Sequence, residues 1–170
     1  MSKAYLILEN GKVFEGTAIG KQGQTCGEVV FNTGMVGYLE TLTDKNNFGQ
    51  IVVQTFPMIG NYGIIGEDFE SEKATVAGYV VRELCDVPSN FRCEYDIDKF
   101  LKDKGVPGIW GVDTREMTYI LRENGSTNAI ICDEIPASLD EVKNYKIVGA
   151  VENTGSKEVS VYLPKTEIKK

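Results

Sequence analysis

Residues 27–63, GEVVFNTGMVGYLETLTDKNNFGQIVVQTFPMIGNYG, decide how the rest of the chain is read. The apolar runs Val29 to Phe31 and Ile51 to Phe56 have strand character, and the connection between them carries Gly34, Gly37, Tyr38, Glu40, Asp44, Asn46 and Asn47. Pro57 has no amide hydrogen to give a ladder and ends the second run, and Gly60-Asn61-Tyr62-Gly63 follows with residues that tolerate positive φ. Two irregular loops are therefore expected to leave neighbouring strand ends. Loops held on a rigid sheet present polar groups without burying them, although the same glycines are equally accounted for as turn residues. Residues 36–43 are read as a short helix with Thr33 or Gly34 near its start.

Upstream, Tyr5 to Leu8 and Val13-Phe14 flank Asn10-Gly11, which predicts a β-hairpin closed by a type I′ turn. Downstream, Thr75 to Val81 is rich in β-branched and aromatic residues and reads as a buried strand, closed by the charges of Arg82 and Glu83. Asp96 is placed to cap a helix whose apolar positions Ile97, Phe100 and Leu101 share one face, with Gly105 at its end. Val106 to Val112 reads as a short strand. Asp113-Thr114-Arg115-Glu116 is a capping-box signature for a helix ending at Gly125, with Met117, Ile120 and Leu121 on its apolar face. Ala129 to Cys132 is a last strand, Ser138 to about Tyr145 a last short helix, and residues 151–170 a linker. Strands come first and then alternate with helices. The class is β-rich α/β, with an antiparallel layer, a mixed or parallel layer, and two or three helices on one face.

A chain of 170 residues is one domain on size alone, and a formal charge of −7 argues against a nucleic-acid or anionic-membrane partner. A charged-then-apolar leader and a run of roughly 20 apolar residues are both missing, which gives a cytoplasmic expectation. Cys26, Cys85, Cys93 and Cys132 have no CxxC spacing and there is no histidine, so no metal site is expected and the thiols are read as free, buried or inert. Without histidine the chain has no Ser-His or Cys-His nucleophile pair, and no catalytic residue is assigned to it.

Asp113 is read as a cap before it is read as a site, and Arg115 and Arg122 as solvated or as contacts for a partner. Glu40 and Asp44 would share a helix face, but no third ligand lies near them in sequence, so a solvated face or a second cap is preferred to acid–base work. Gly60 to Gly63 lacks the Lys-Ser/Thr and helix start of a phosphate loop.

Several ordered motifs together resemble one family: FNTGMVGYLETLTD at 31–44, QTFPMIGNYG at 54–63, VVREL at 80–84, PSNFR at 88–92 and GVDTREMTYILRENG at 111–125. They look like the N-terminal domain of the small, glutamine-hydrolysing subunit of carbamoyl-phosphate synthase, over nearly all of residues 3 to 135. The resemblance implies a three-layer β/β/α swivelling-type domain over residues 1–150, with 151–170 leading toward a C-terminal glutaminase domain. That domain would hold a Cys-His-Glu triad, and its ammonia would go to a large synthetase subunit using bicarbonate, ATP and magnesium to make carbamoyl phosphate for arginine and pyrimidine biosynthesis. The fragment itself would carry no cofactor and no activity. Its partners would be the glutaminase domain, the large subunit and, for the whole subunit, glutamine. In the family the loop after LTD commonly runs Pro-Ser, and its serine contributes to the bound glutamine. Here Lys45 stands at the proline position and Asn46 at the serine position, so the resemblance makes Asn46 the glutamine-binding residue, with a longer side chain that still donates or accepts. The alternatives are an autonomous binding module of the same fold and a stand-alone metal-assisted hydrolase using Asp or Glu.

Overall fold

The computed structural model describes residues 2–159 and 161. Among the described residues there are nine strands: β1 (Lys3–Leu8), β2 (Val13–Gly20), β3 (Thr25–Asn32), β4 (Gln50–Gln54), β5 (Met58–Ile59), β6 (Gly78–Val81), β7 (Glu83–Leu84), β8 (Pro107–Trp110) and β9 (Thr127–Cys132). The helices are α1 (Tyr38–Thr43), α2 (Ile97–Lys104), α3 (Thr114–Asn124), α4 (Asp140–Lys143) and α5 (Ala150–Thr154). Seven strands close a barrel in the order β1-β2-β8-β6-β4-β3-β9, while β5 and β7 form a separate two-stranded piece.

The expected antiparallel and parallel groups both exist, as two arcs of one sheet. β3, β4, β6 and β8 run parallel to one another, and β9, β1 and β2 are antiparallel to their neighbours. The arcs join because β3 pairs antiparallel with β9 on its other edge and β2 pairs antiparallel with β8. Hydrogen bonding is continuous around the barrel, so none of its seven strands presents an open edge.

Alternation along the strands sorts three cores. Leu6, Leu8, Phe14, Val29, Ile51, Val53, Val80, Ile109, Ala129 and Ile131 come from all seven barrel strands and fill its interior, where α3 adds Met117 and Leu121. Outside the parallel arc, Val52, Tyr79 and Val81 pack against α1 through Leu39 and Leu42 and against α2 through Ile97, Phe100 and Leu101. Outside the antiparallel arc, Ile7, Ile130 and Cys132 pack against Val142 of α4. Each large side chain buried this way contributes about 1.5–3 kcal/mol. The helices are thus spread over more than the one expected face, with only α1 and α2 sharing the outside of the parallel arc.

Asp96 caps α2 as expected, its Oδ1 accepting from the Lys99 amide at 2.8 Å. Asp113 caps α3 by accepting from the amides of Arg115 and Glu116 at 3.1 and 3.0 Å. The reciprocal half of the predicted capping box is replaced: the Glu116 carboxylate pairs with the Lys12 ammonium of the first hairpin. That hairpin also differs in its turn. Only Gly11 takes positive φ, at 88°, and the Gly11 amide donates to the Leu8 carbonyl while the Leu8 amide donates to Lys12. This is a three-residue loop with a glycine bulge, and the Asn10 side chain holds it by accepting from the Lys12 amide at 2.9 Å.

Candidate functional site

Asn32 and Gln54 are register partners at the ends of β3 and β4, so the loops that follow them do leave neighbouring strand ends. The loop carrying Asn46 lies at the other end of the same strands, because it leads into Gln50, the register partner of Glu28. The central stretch therefore serves two ends of the parallel arc, with α1 running between them.

α1 stops at Thr43 because Asp44 takes an extended conformation, φ −69° and ψ 121°. Its carboxylate then caps the following 3-10 turn, Lys45–Asn47, by accepting from the Asn46 amide at 2.9 Å. Glu40 and Asp44 consequently do not form the shared carboxylate face considered from spacing, and the second-cap reading holds for Asp44. The Asn47 side chain donates to the Thr41 carbonyl at 2.8 Å and folds the loop back on the helix. Gly49, at φ 74°, turns the chain into β4. An added Cβ there would stand 3.2 Å from the Tyr145 hydroxyl and 3.3 Å from Ile147, so both the backbone and the space call for glycine.

The base of the loop is fixed by residues far away in sequence. Thr43 is fully buried, and its hydroxyl donates to the Leu39 carbonyl at 2.8 Å and accepts from the Glu70 amide at 2.9 Å. Ser71 donates to the Thr43 carbonyl at 2.7 Å. Thr75 holds both ends of the loop, since its hydroxyl donates to the Asp44 carbonyl and its own carbonyl accepts from the Gly49 amide at 3.1 Å. Tyr145 reaches over from the segment after α4 and donates to the Gly49 carbonyl at 2.9 Å. Burial pushes the Tyr145 phenol above its usual range, with the nearby Cys26 and Glu28 acting the same way.

On this held loop Lys45 and Asn46 are exposed, and no described residue bonds the Asn46 side-chain amide. Asn47 of the same loop lines a cavity of about 380 Å³ along β3 and β4, together with Asn32, Thr33, Thr41 and Gln50. The arrangement is a rigidly based, polar, water-facing tip. It can hydrogen-bond a neutral or zwitterionic ligand, and it carries no activated nucleophile.

The other sequence candidates fall away from this tip. Arg122 lies over the Phe31 ring at 5.5 Å, a cation–π contact that accounts for it locally. Cys26 and Cys132 are held as thiols by burial, both pushed up to about 11, which is the reverse of a nucleophile's activation. Thr75 and Tyr145 were invisible as loop partners from sequence, since no local pattern links positions 44–49 to 75 and 145. Gly49 directly before a strand was the one usable signal.

Residues 6–131 match the family model described as carbamoyl-phosphate synthase small chain, CPSase domain. Among curated proteins the chain is similar to the carbamoyl phosphate synthase small chain of Clostridium perfringens (strain 13 / Type A), 48% identical over 164 residues, covering 93% of this chain and 47% of that one. It is similar to the small chain of Listeria monocytogenes serotype 4b (strain F2365), 51% identical over 134 residues, covering 79% and 37%. It is similar also to the pyrimidine-specific small chain of Bacillus subtilis (strain 168), 52% identical over 124 residues, covering 73% and 34%. The chain spans about half the length of these relatives or less.

Proposed function

The chain belongs to the carbamoyl-phosphate synthase small-chain family, and on that premise we propose that it is the non-catalytic N-terminal domain of a glutamine-hydrolysing subunit, offering the loop Asp44–Gly49 to a glutaminase domain. Asn46 donates or accepts one hydrogen bond to the glutamine held there. The observation that carries this reading is that the loop is fixed at its base through Thr43, Thr75 and Tyr145 while the exposed Asn46 amide has no partner among the described residues. Lys45, where the family commonly has proline, leaves the turn to be set by the Asp44 cap instead.

Ammonia released in the glutaminase domain passes to a large synthetase subunit that consumes bicarbonate and ATP with magnesium, in the cytoplasm, for pyrimidine or arginine biosynthesis. The chain alone does not hydrolyse glutamine, because its sequence contains no histidine to pair with a thiolate. The swivelling-type layering belongs to the same proposal and is supported by the two arcs of the barrel, with α1 and α2 as the outer layer. The test is Asn46→Ala in the glutaminase-bearing subunit with its synthetase partner. One neutral hydrogen bond contributes roughly 0.5–1.5 kcal/mol, so KM for glutamine should rise about 2- to 12-fold while the ammonia-driven rate stays unchanged. Equal losses with both nitrogen sources, or none with either, remove Asn46 from the glutamine site.

A further inference from the structure

We propose that Thr75 and Tyr145 are positioning residues that set the height and angle at which Asn46 is presented, and that Tyr145 makes this depend on how the segment after α4 is seated. The inference rests on the glutamine reading of the loop for its functional consequence, and on geometry alone for the clamp.

Gly49 is the last residue of the loop, and both of its backbone polar groups are held from outside: the amide by the Thr75 carbonyl at 3.1 Å and the carbonyl by the Tyr145 hydroxyl at 2.9 Å. The first residue of the loop is held by Thr75 as well, through its hydroxyl and the Asp44 carbonyl. One residue thus pins both ends of the loop, and the turn between them is held by the Asp44 carboxylate on the Asn46 amide and by the Asn47 side chain on the Thr41 carbonyl. Tyr145 is itself tied to the barrel, because the Asn128 side chain on β9 donates to its carbonyl at 3.2 Å. The path from β9 through Tyr145 to Gly49 joins the antiparallel arc to the loop at the foot of the parallel arc. Tyr145 lies beyond residues 6–131, the part matched by the family model, so this brace comes from the segment that follows the matched residues. Lifting residues 145–147 would release the Gly49 carbonyl and let the tip drift. Preorganisation of a ligand contact is lost that way without any change in the contacting residue.

Two substitutions remove one hydroxyl each and keep shape, Thr75→Val and Tyr145→Phe. In the 170-residue chain, amide hydrogen exchange at Asn46, Asn47, Phe48 and Gly49 should quicken roughly 2- to 12-fold in each variant, the range set by one hydrogen bond, while the Val80 and Ile109 amides keep the wild-type rate. Unchanged exchange across the loop in both variants overturns the clamp. In the glutaminase-bearing subunit, Tyr145→Phe should raise KM for glutamine about 2- to 12-fold with kcat and the ammonia-driven rate unchanged, and adding it to Asn46→Ala should raise KM no further. If Asn46→Ala raises KM while Tyr145→Phe does not, the positioning role is wrong and the glutamine reading stands. If Asn46→Ala itself leaves KM unchanged, the glutamine reading fails, and quickened exchange in the two variants still establishes the clamp.

Discussion

The Tyr62 hydroxyl accepts hydrogen bonds from the amides of Gly37 and Tyr38, at 2.9 and 3.2 Å, and in this way caps a helix that has no side-chain cap of its own. The bond is answered from the other side. The Tyr38 hydroxyl donates to the Gly63 carbonyl at 2.6 Å, and the two rings stack with centroids 4.2 Å apart. The loops after β3 and β4 are therefore locked to each other by a pair of tyrosines. Tyr62→Phe keeps the stack and deletes the cap, so the chain should lose about 0.5–2 kcal/mol of stability, read as a lower urea midpoint with an unchanged slope. An unaltered midpoint would mean that water satisfies those two amides equally well.

Thr43 supports the other end of α1. Thr43→Val is nearly isosteric, yet it takes away the buried hydroxyl that accepts from the part-buried Glu70 amide. Losing one such hydrogen bond costs about 0.5–1.5 kcal/mol, and the loss should appear in urea denaturation together with faster exchange of the Glu70 amide. A stable variant with a protected Glu70 amide would show that the segment finds another partner.

How much of this was legible in sequence follows from the range of the interactions. The caps at Asp96 and Asp113 were readable because an N-cap and the amides it bonds lie within three residues. The strand read at 75–81, which forms over Gly78–Val81, and the hairpin at the start are legible in composition, although the turn at Asn10-Gly11 is a glycine bulge. Barrel closure was not readable, because it depends on pairs such as Tyr5 with Cys132 and Thr25 with Ile131 that no local period encodes. β5 and β7 were missed for a related reason: each is two residues long, and Glu83 looked like the charged end of a strand. At the candidate site, Asn46 came from family resemblance, whereas its supports Thr43, Thr75 and Tyr145 are polar residues whose roles exist only after folding brings residues 70–75 and 145 against the loop.

The cysteines give a pH prediction. Burial is the first cause for both Cys26 and Cys132, with Glu141 and Cys132 adding to the first and Asp133 to the second, and both thiols sit at about 11 against an ordinary 9.0. The folded state then holds its protons where the unfolded chain has released them. The contribution to stability is full below pH 9.0, declines as the pH rises from there, and is gone above about 11. Peptide-resolved alkylation against pH should show midpoints near 11 at these two sites. Midpoints at the ordinary thiol value would mean that the surroundings of β3 and β9 are wetter than the packing implies.

The last prediction separates a cap from a site at Asp113. The position follows a strand and precedes an arginine, which is where a binding carboxylate would stand, but its oxygen is already used by the Arg115 and Glu116 amides. A cap needs an acceptor and not a charge, so Asp113→Asn should stay within a few tenths of a kcal/mol of wild type, and Asp113→Ala should lose about 0.5–2 kcal/mol as α3 loosens its hold on Met117 and Leu121 inside the barrel. A ligand-binding carboxylate would behave differently, because Asn removes the charge that a cation or a proton transfer requires. In the glutaminase-bearing subunit neither variant should alter KM for glutamine, since α3 contributes no bond to the loop at 44–49. Urea midpoints and glutamine kinetics measured on the same two variants decide the matter: a kinetic defect in Asp113→Asn with stability intact would make Asp113 part of a binding site.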